Sequence, residues 1–213
     1  RPKVRIKGVI VRQPPPYWLG WPGTSYDIEG HRKEYEAALS KMAKRAGVTA
    51  ELDPSPVEKA EDFGPWLERA KAEGHDAILL HIQHIHCWRW LDGLKAAAIP
   101  TIIWAPVGTA FTQHVLKLAR QPGIHVVSSL EVEAIEQAFR MVRAKRQCEE
   151  TRLLVLKGNE RKETVLERLG TKVRYIPRDT LHELFNRMPL TDEAREIAAT
   201  AKNNAEKVVE PSA

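Results

Sequence analysis

A chain of 213 residues, 43% hydrophobic and 7% aromatic, carries enough apolar material for one large or two small domains, which excludes wholesale disorder. Lys and Arg outnumber Asp and Glu by 33 to 28, a net charge of +5, and the charges interleave along helices as on a solvated surface, so no nucleic-acid partner is expected. Two cysteines, Cys87 and Cys148, make neither a disulfide framework nor a CxxC metal pair, and no apolar run reaches the ~20 residues that cross a bilayer; a reducing, cytoplasmic setting and no membrane partner are expected.

Val4 to Val11 (VRIKGVIV) is short and rich in β-branched residues, as a buried strand is. It ends at Gln13 and leads into PPPYWLGWPGTSYD, where three prolines forbid helix and Tyr17, Trp18, Trp21 and Tyr26 crowd together. That loop reads either as a lid on its own domain or as the wall of a ligand pocket or subunit interface, since Trp and Tyr dominate both. Asp27 is placed to cap a helix over Ile28 to Ala46, with Tyr35, Leu39, Met42 and Ala46 on one face and Gly47 as its stop.

Val48 to Leu52 predicts a second strand, and Ala60 to Ala72 a helix whose stripe is Phe63, Trp66, Leu67 and Ala70. A third strand, Ala77 to Ile82, runs into the polar cluster Gln83, His84, His86 and Trp88, and a helix is predicted from Trp88 to Ala98. Its expected buried stripe is Leu91, Leu94 and Ala98, with Trp88 and Trp90 on either side. Strand four, Thr101 to Ala105, leads to a second cluster, Gly108, Thr109, Thr112 and His114, on a helix near Phe111 to Ala119. Strand five is Ile124 to Ser128, and helix five Leu130 to Ala144, packed through Ile135, Ala138, Phe139 and Val142.

Strict alternation of strand and helix predicts an α/β fold, a doubly wound parallel sheet of flavodoxin or Rossmann type. Ligands of such sheets bind beyond the carboxyl ends of the strands, so the clusters after strands three and four mark the functional edge. A polar stretch at Lys145 to Glu150 marks a boundary, giving an amino-terminal α/β domain over 1–147 and the first part of a second α/β domain over 148–213. In the second part, Arg152 to Leu156 and Lys172 to Ile176 read as strands and GNERKETVLERLG as a turn into a helix. Thr180 to Asn186 reads as a short helix, and Thr191 caps a polar helix running to Val209. Two strands and three helices are too few to close such a sheet, so the sequence is expected to be a piece of a longer protein.

HIQHIHCW holds three imidazoles, but alternation on an extended segment puts only His84 and His86 on one face, short of the three protein ligands of a catalytic zinc site. The cluster is open to three readings: a metal site, packing or hydrogen-bonding histidines, or contacts to a polar organic ligand. GTAFTQH has the form of an anion-binding turn at a helix amino end, yet neither GxGxxG nor GxxxxGK[ST] occurs. No nucleophile elbow and no Ser/His/Asp set is recognisable.

Cys87-Trp88 after a strand, IPTIIWAPVGTAFTQHVLKLARQPGIHVVSS at Ile99 to Ser129, and ERLGTKVRYIPRDTLHELFNR at Glu167 to Arg187 resemble, in that order, the amino-terminal region of the L-fucose isomerase family and its L-arabinose isomerase-like relatives. The resemblance covers nearly the whole chain. It implies an amino-terminal α/β domain, a second α/β domain and a carboxyl-terminal domain in a homo-oligomer that interconverts aldoses and ketoses with Mn2+. The amino-terminal domain of one subunit then borders the sugar pocket of another. It further implies that Trp88 lines that pocket, that no catalytic or metal-binding residue lies within these 213 residues, and that the chain alone is inactive. The family's arginine after the first strand has no counterpart in QPPPYWLGWPG, where Arg12 stands inside the strand end. Expected sugar-contacting residues are Gln13, Trp18, His84, His86, Trp88, Thr109 and His114. A non-catalytic small-ligand-binding α/β module is the alternative.

Overall fold

The computed structural model describes residues 3–14, 27–94, 98–106, 108–129 and 131–209. They form two compact units, Arg1–Thr151 with Arg168–Gly170, and Arg152–Glu167 with Thr171–Ala213. In the first unit β1 (Arg5–Val11), β2 (Thr49–Leu52), β3 (Ala77–Ile82), β4 (Thr101–Trp104) and β5 (Ile124–Val127) make one sheet in the order β2-β1-β3-β4-β5. Every pairing is parallel, so the predicted doubly wound α/β fold is the one observed.

Helices cover both faces because the central strands are apolar on both sides. On one face Ile78, Leu80 and Ile82 of β3 pack with α2 (Ala60–Ala72), a 3-10 helix (Ile85–Gly93) and Leu118 of α3 (Thr112–Ala119). On the other, Ala77 and Leu79 pack with α1 (Ile28–Ala46) and α4 (Glu133–Glu150) through Leu39, Met42, Ile135 and Phe139. The stripes of α2 and α4 are the predicted ones, all buried. Asp27 caps α1 by accepting from the Gly30 N–H at 2.9 Å, and Gly47 ends it at φ +69, a left-handed conformation that glycine adopts without steric cost.

One local expectation fails in this unit. Of the helix predicted over Trp88 to Ala98, the part up to Gly93 belongs to the 3-10 helix Ile85–Gly93 and residues 95–97 lie outside the described residues; three residues per turn bring Trp88, Leu91 and Leu94 into one line, all three buried, while Ala98 is exposed. Trp88, expected at the rim of a pocket, is therefore a core residue, 5% exposed. The polar stretch before the boundary is helical: α4 continues through it to Glu150, with Lys145–Glu149 and Arg146–Glu150 pairs on its solvent face. The polar run is the solvated face of a helix end, and the two units divide directly after it, at Thr151.

The second unit holds a mixed three-stranded sheet, β6-β8-β7, built from β6 (Arg152–Leu156), β7 (Lys162–Leu166) and β8 (Thr171–Ile176). β6 runs parallel to β8 and β7 antiparallel to it. The helix expected within GNERKETVLERLG is strand β7: its ladder from Lys162↔Tyr175 to Leu166↔Thr171 satisfies the backbone across a turn that closes at Gly170, φ +67. Helices α5 (Thr180–Arg187) and α6 (Asp192–Asn204) follow. Thr191 caps α6 as predicted, accepting from the Ala194 N–H at 3.2 Å, but the helix stops short of Val209.

Candidate functional site

The carboxyl ends of β3 and β4 deliver the two polar clusters to one edge, where they bound a cleft of ≈ 420 Å³ between the 3-10 helix and α3. His86, Trp88 and Arg89 line one side, Phe111, Gln113 and His114 the other. Asp92 and Lys117 join the two sides by an exposed ion pair at 2.6 Å. The local fold explains the convergence. Thr109 turns the chain after β4 with its N–H and hydroxyl both donating to the Pro106 carbonyl, at 3.1 and 2.7 Å. The Thr109 carbonyl then accepts from the Trp88 indole N–H at 2.6 Å, tying the 3-10 helix to this turn.

On that anchor stands a ladder of rings. The His114 imidazole lies over Trp88 with centroids 5.4 Å apart and planes 11° from parallel, and Phe111 stacks on His114 at 5.8 Å. Trp88 forms the buried foot, while Phe111 is 60% exposed at the mouth. Burial, with Lys117 adding to it, holds the His114 imidazolium below the usual histidine range. Its Nδ1 accepts from the Phe111 N–H at 3.2 Å, so the neutral ring carries its proton on Nε2 and can donate from there. The same contact occupies an N–H that an anion at this helix end would need. Burial pushes the Cys87 thiol up to about 12, which keeps it protonated and unsuited to nucleophilic attack.

Of the residues expected to meet a ligand, His86, Trp88 and His114 line this cleft, and Thr109 holds its floor through Trp88. His84 is buried behind His86: its Nδ1 accepts from the His86 N–H at 3.2 Å, and the two rings lie edge to face with centroids 5.0 Å apart. Gln13 is half-buried past the end of β1, and Trp18, with Tyr17, lies outside the described residues. No group of three or more His, Cys, Asp or Glu side chains that could hold a metal occurs among the described residues. His84 and His86 bring two imidazoles together, short of the three protein ligands of a catalytic zinc site.

Phe111, Arg89, Asp92, Gln113 and Lys117 escaped the sequence reading. Phe111 stands four residues before Val115 and seven before Leu118, the spacing of a buried helical stripe. In the fold it occupies the N-cap position of α3, with extended backbone, outside the helix that such a stripe presupposes. No helix among the described residues is long and apolar enough to cross a membrane. No protein-family model matches the chain, and no curated protein matches it significantly.

Proposed function

We propose that the amino-terminal unit binds a sugar in the cleft between the 3-10 helix and α3, and that it serves as the pocket wall of an oligomeric, sugar-isomerase-like protein. The observation that carries this reading is the ring ladder ending in exposed Phe111, flanked by Arg89, Gln113, Asp92 and Lys117. An aromatic face covers the apolar C–H patch of a sugar at small entropic cost, and the surrounding donors and acceptors select its hydroxyls. Trp88 supports the platform from below instead of touching the ligand. The order of the CW, IPTIIWAPVGTAFTQH and ERLGTKVRYIPRDT motifs supports the isomerase part of the reading.

Titration calorimetry of the chain against aldoses and ketoses, L-fucose and L-arabinose among them, tests the site. Saturable binding that weakens about tenfold in Phe111→Ala, roughly the 1.4 kcal/mol of one lost stacking contact, is the expected result. No saturable binding, or unchanged binding in Phe111→Ala, would refute it. Isomerisation by this chain alone, with or without manganese, is expected to be absent.

A non-catalytic ligand-binding module is the second reading, and it draws on the inert chemistry of the cleft: the Cys87 thiol stays protonated and the His114 Nδ1 is engaged by the Phe111 N–H. Aldose–ketose turnover by the assembled protein favours the first reading, and sugar binding without turnover the second.

A further inference from the structure

The strand order β2-β1-β3-β4-β5 reverses between β1 and β3, and in open α/β sheets ligands bind outside the carboxyl ends of the strands at such a reversal. There β3 ends in His81-Ile82-Gln83, and the Gln83 N–H donates to the Val11 carbonyl at 3.0 Å, continuing the ladder beside Arg12. Alternation sends the His81 and Gln83 side chains to the face that α1 covers, opposite to Trp88 and the cleft described above. The His81 ring accordingly lies 4.8 Å from Tyr35 and 4.3 Å from Trp104, centroid to centroid.

His81 is 1% exposed and Gln83 2%. Among the described residues both ring nitrogens of His81 and both amide atoms of Gln83 have no hydrogen-bond partner. A buried donor or acceptor left unpaired forfeits its full solvation, so native folds keep few of them, and four at one strand end call for a function. The adjacent Arg12 guanidinium is held by Glu29 at 2.7 Å and Glu58 at 2.9 Å.

We propose that the carboxyl end of β3 at the β1/β3 reversal is a second binding site, where Gln83 and His81 take a small neutral polyol through a pair of adjacent hydroxyls. The chemistry follows from the inventory of groups. The amide offers a donor and an acceptor, and the neutral imidazole one of each, while two hydroxyls present two donors and two acceptors in return. A charged ligand would lose its hydration in this apolar surround, and the neighbouring guanidinium is already bound by two carboxylates. Entry is by local opening at the first turn of α1, where the Glu29 that holds Arg12 is itself solvent-exposed.

Titration calorimetry with ribitol on the wild-type chain, Gln83→Leu, His81→Phe and Phe111→Ala tests the site, with a melting curve for each. Expected are saturable binding to wild type and to Phe111→Ala, a weakening of about tenfold or more in Gln83→Leu and His81→Phe, and a melting temperature for Gln83→Leu no lower than wild type. Absence of saturable binding to wild type, or ribitol affinity unchanged in Gln83→Leu, overturns the proposal. So does a Gln83→Leu variant that melts well below wild type, since its amide would then be paired within the fold. Loss of ribitol binding in Phe111→Ala alone places the polyol in the other cleft, which overturns this site and leaves the sugar-cleft reading standing.

Discussion

Trp88 and His114 lie face to face, centroids 5.4 Å apart, and the indole N–H reaches past this stack to the Thr109 carbonyl at 2.6 Å. The contact fastens the segment after β3 to the segment after β4, so Trp88 carries stability as well as shape. Trp88→Ala is expected to destabilise the unit by about 3–5 kcal/mol, the range for a packed aromatic. Trp88→Phe keeps a ring beneath His114 but leaves the Thr109 carbonyl without its donor, for a loss of about 2 kcal/mol. Urea unfolding of both variants measures the difference; near-wild-type stability of Trp88→Ala would return this residue to the rim.

His81 gives the fold an acid limit. Its burial pushes the imidazole down to about 3, against 6.5 for the free side chain. A depressed base is neutral when folded and protonated when unfolded below pH 6.5, so the unfolded state binds the extra proton and stability falls as pH drops from 6.5 towards 3. Between pH 6.5 and 5 the loss is roughly 2 kcal/mol at about 1.4 kcal/mol per pH unit. His81→Phe should abolish that slope, which denaturant midpoints at pH 7 and pH 5 read directly.

Ala98 holds φ +52, a left-handed conformation in which its Cβ crowds the backbone. Ala98→Gly is expected to raise stability by about 0.5–1 kcal/mol, relief of strain exceeding the added freedom of the unfolded chain. Ala98→Val, β-branched at the same angle, should lower it by about 1 kcal/mol or more. Thermal melts showing the opposite order would remove the strain argument.

Leu181, Leu184 and Phe185 of α5 and Met188 at its C-cap stand at spacings of three, one and three, and all four are exposed. One apolar face of that size binds hydrophobic dyes. Phe185→Ser with Leu181→Ser is expected to cut anilinonaphthalene sulfonate fluorescence at least twofold while leaving the far-ultraviolet circular dichroism of the chain unchanged, and undiminished fluorescence would assign the dye to another surface.

The sequence alone determined the elements whose pattern is local. Short segments rich in apolar and β-branched residues named the five parallel strands, stripes at helical spacing named the buried faces of α2 and α4, and Asp27, Gly47 and Thr191 marked helix ends through hydrogen bonds within a few residues. It also brought Trp88, His86, Thr109 and His114 to one edge, because loops after adjacent parallel strands lie side by side. Tertiary structure decided what depended on partners far along the chain. The Trp88 to Thr109 bond spans 21 residues, and with a 3-10 winding it turned Trp88 inward while leaving Phe111 as the exposed ring. The segment Lys162–Leu166 became a strand because β8 offered it a ladder, and the same five residues read in isolation fit a helix equally well. His81 and Gln83 looked like polar residues at an open strand end; only the tertiary fold buries both with their polar atoms unpaired among the described residues, His81 against Tyr35 of α1 and Trp104 of β4.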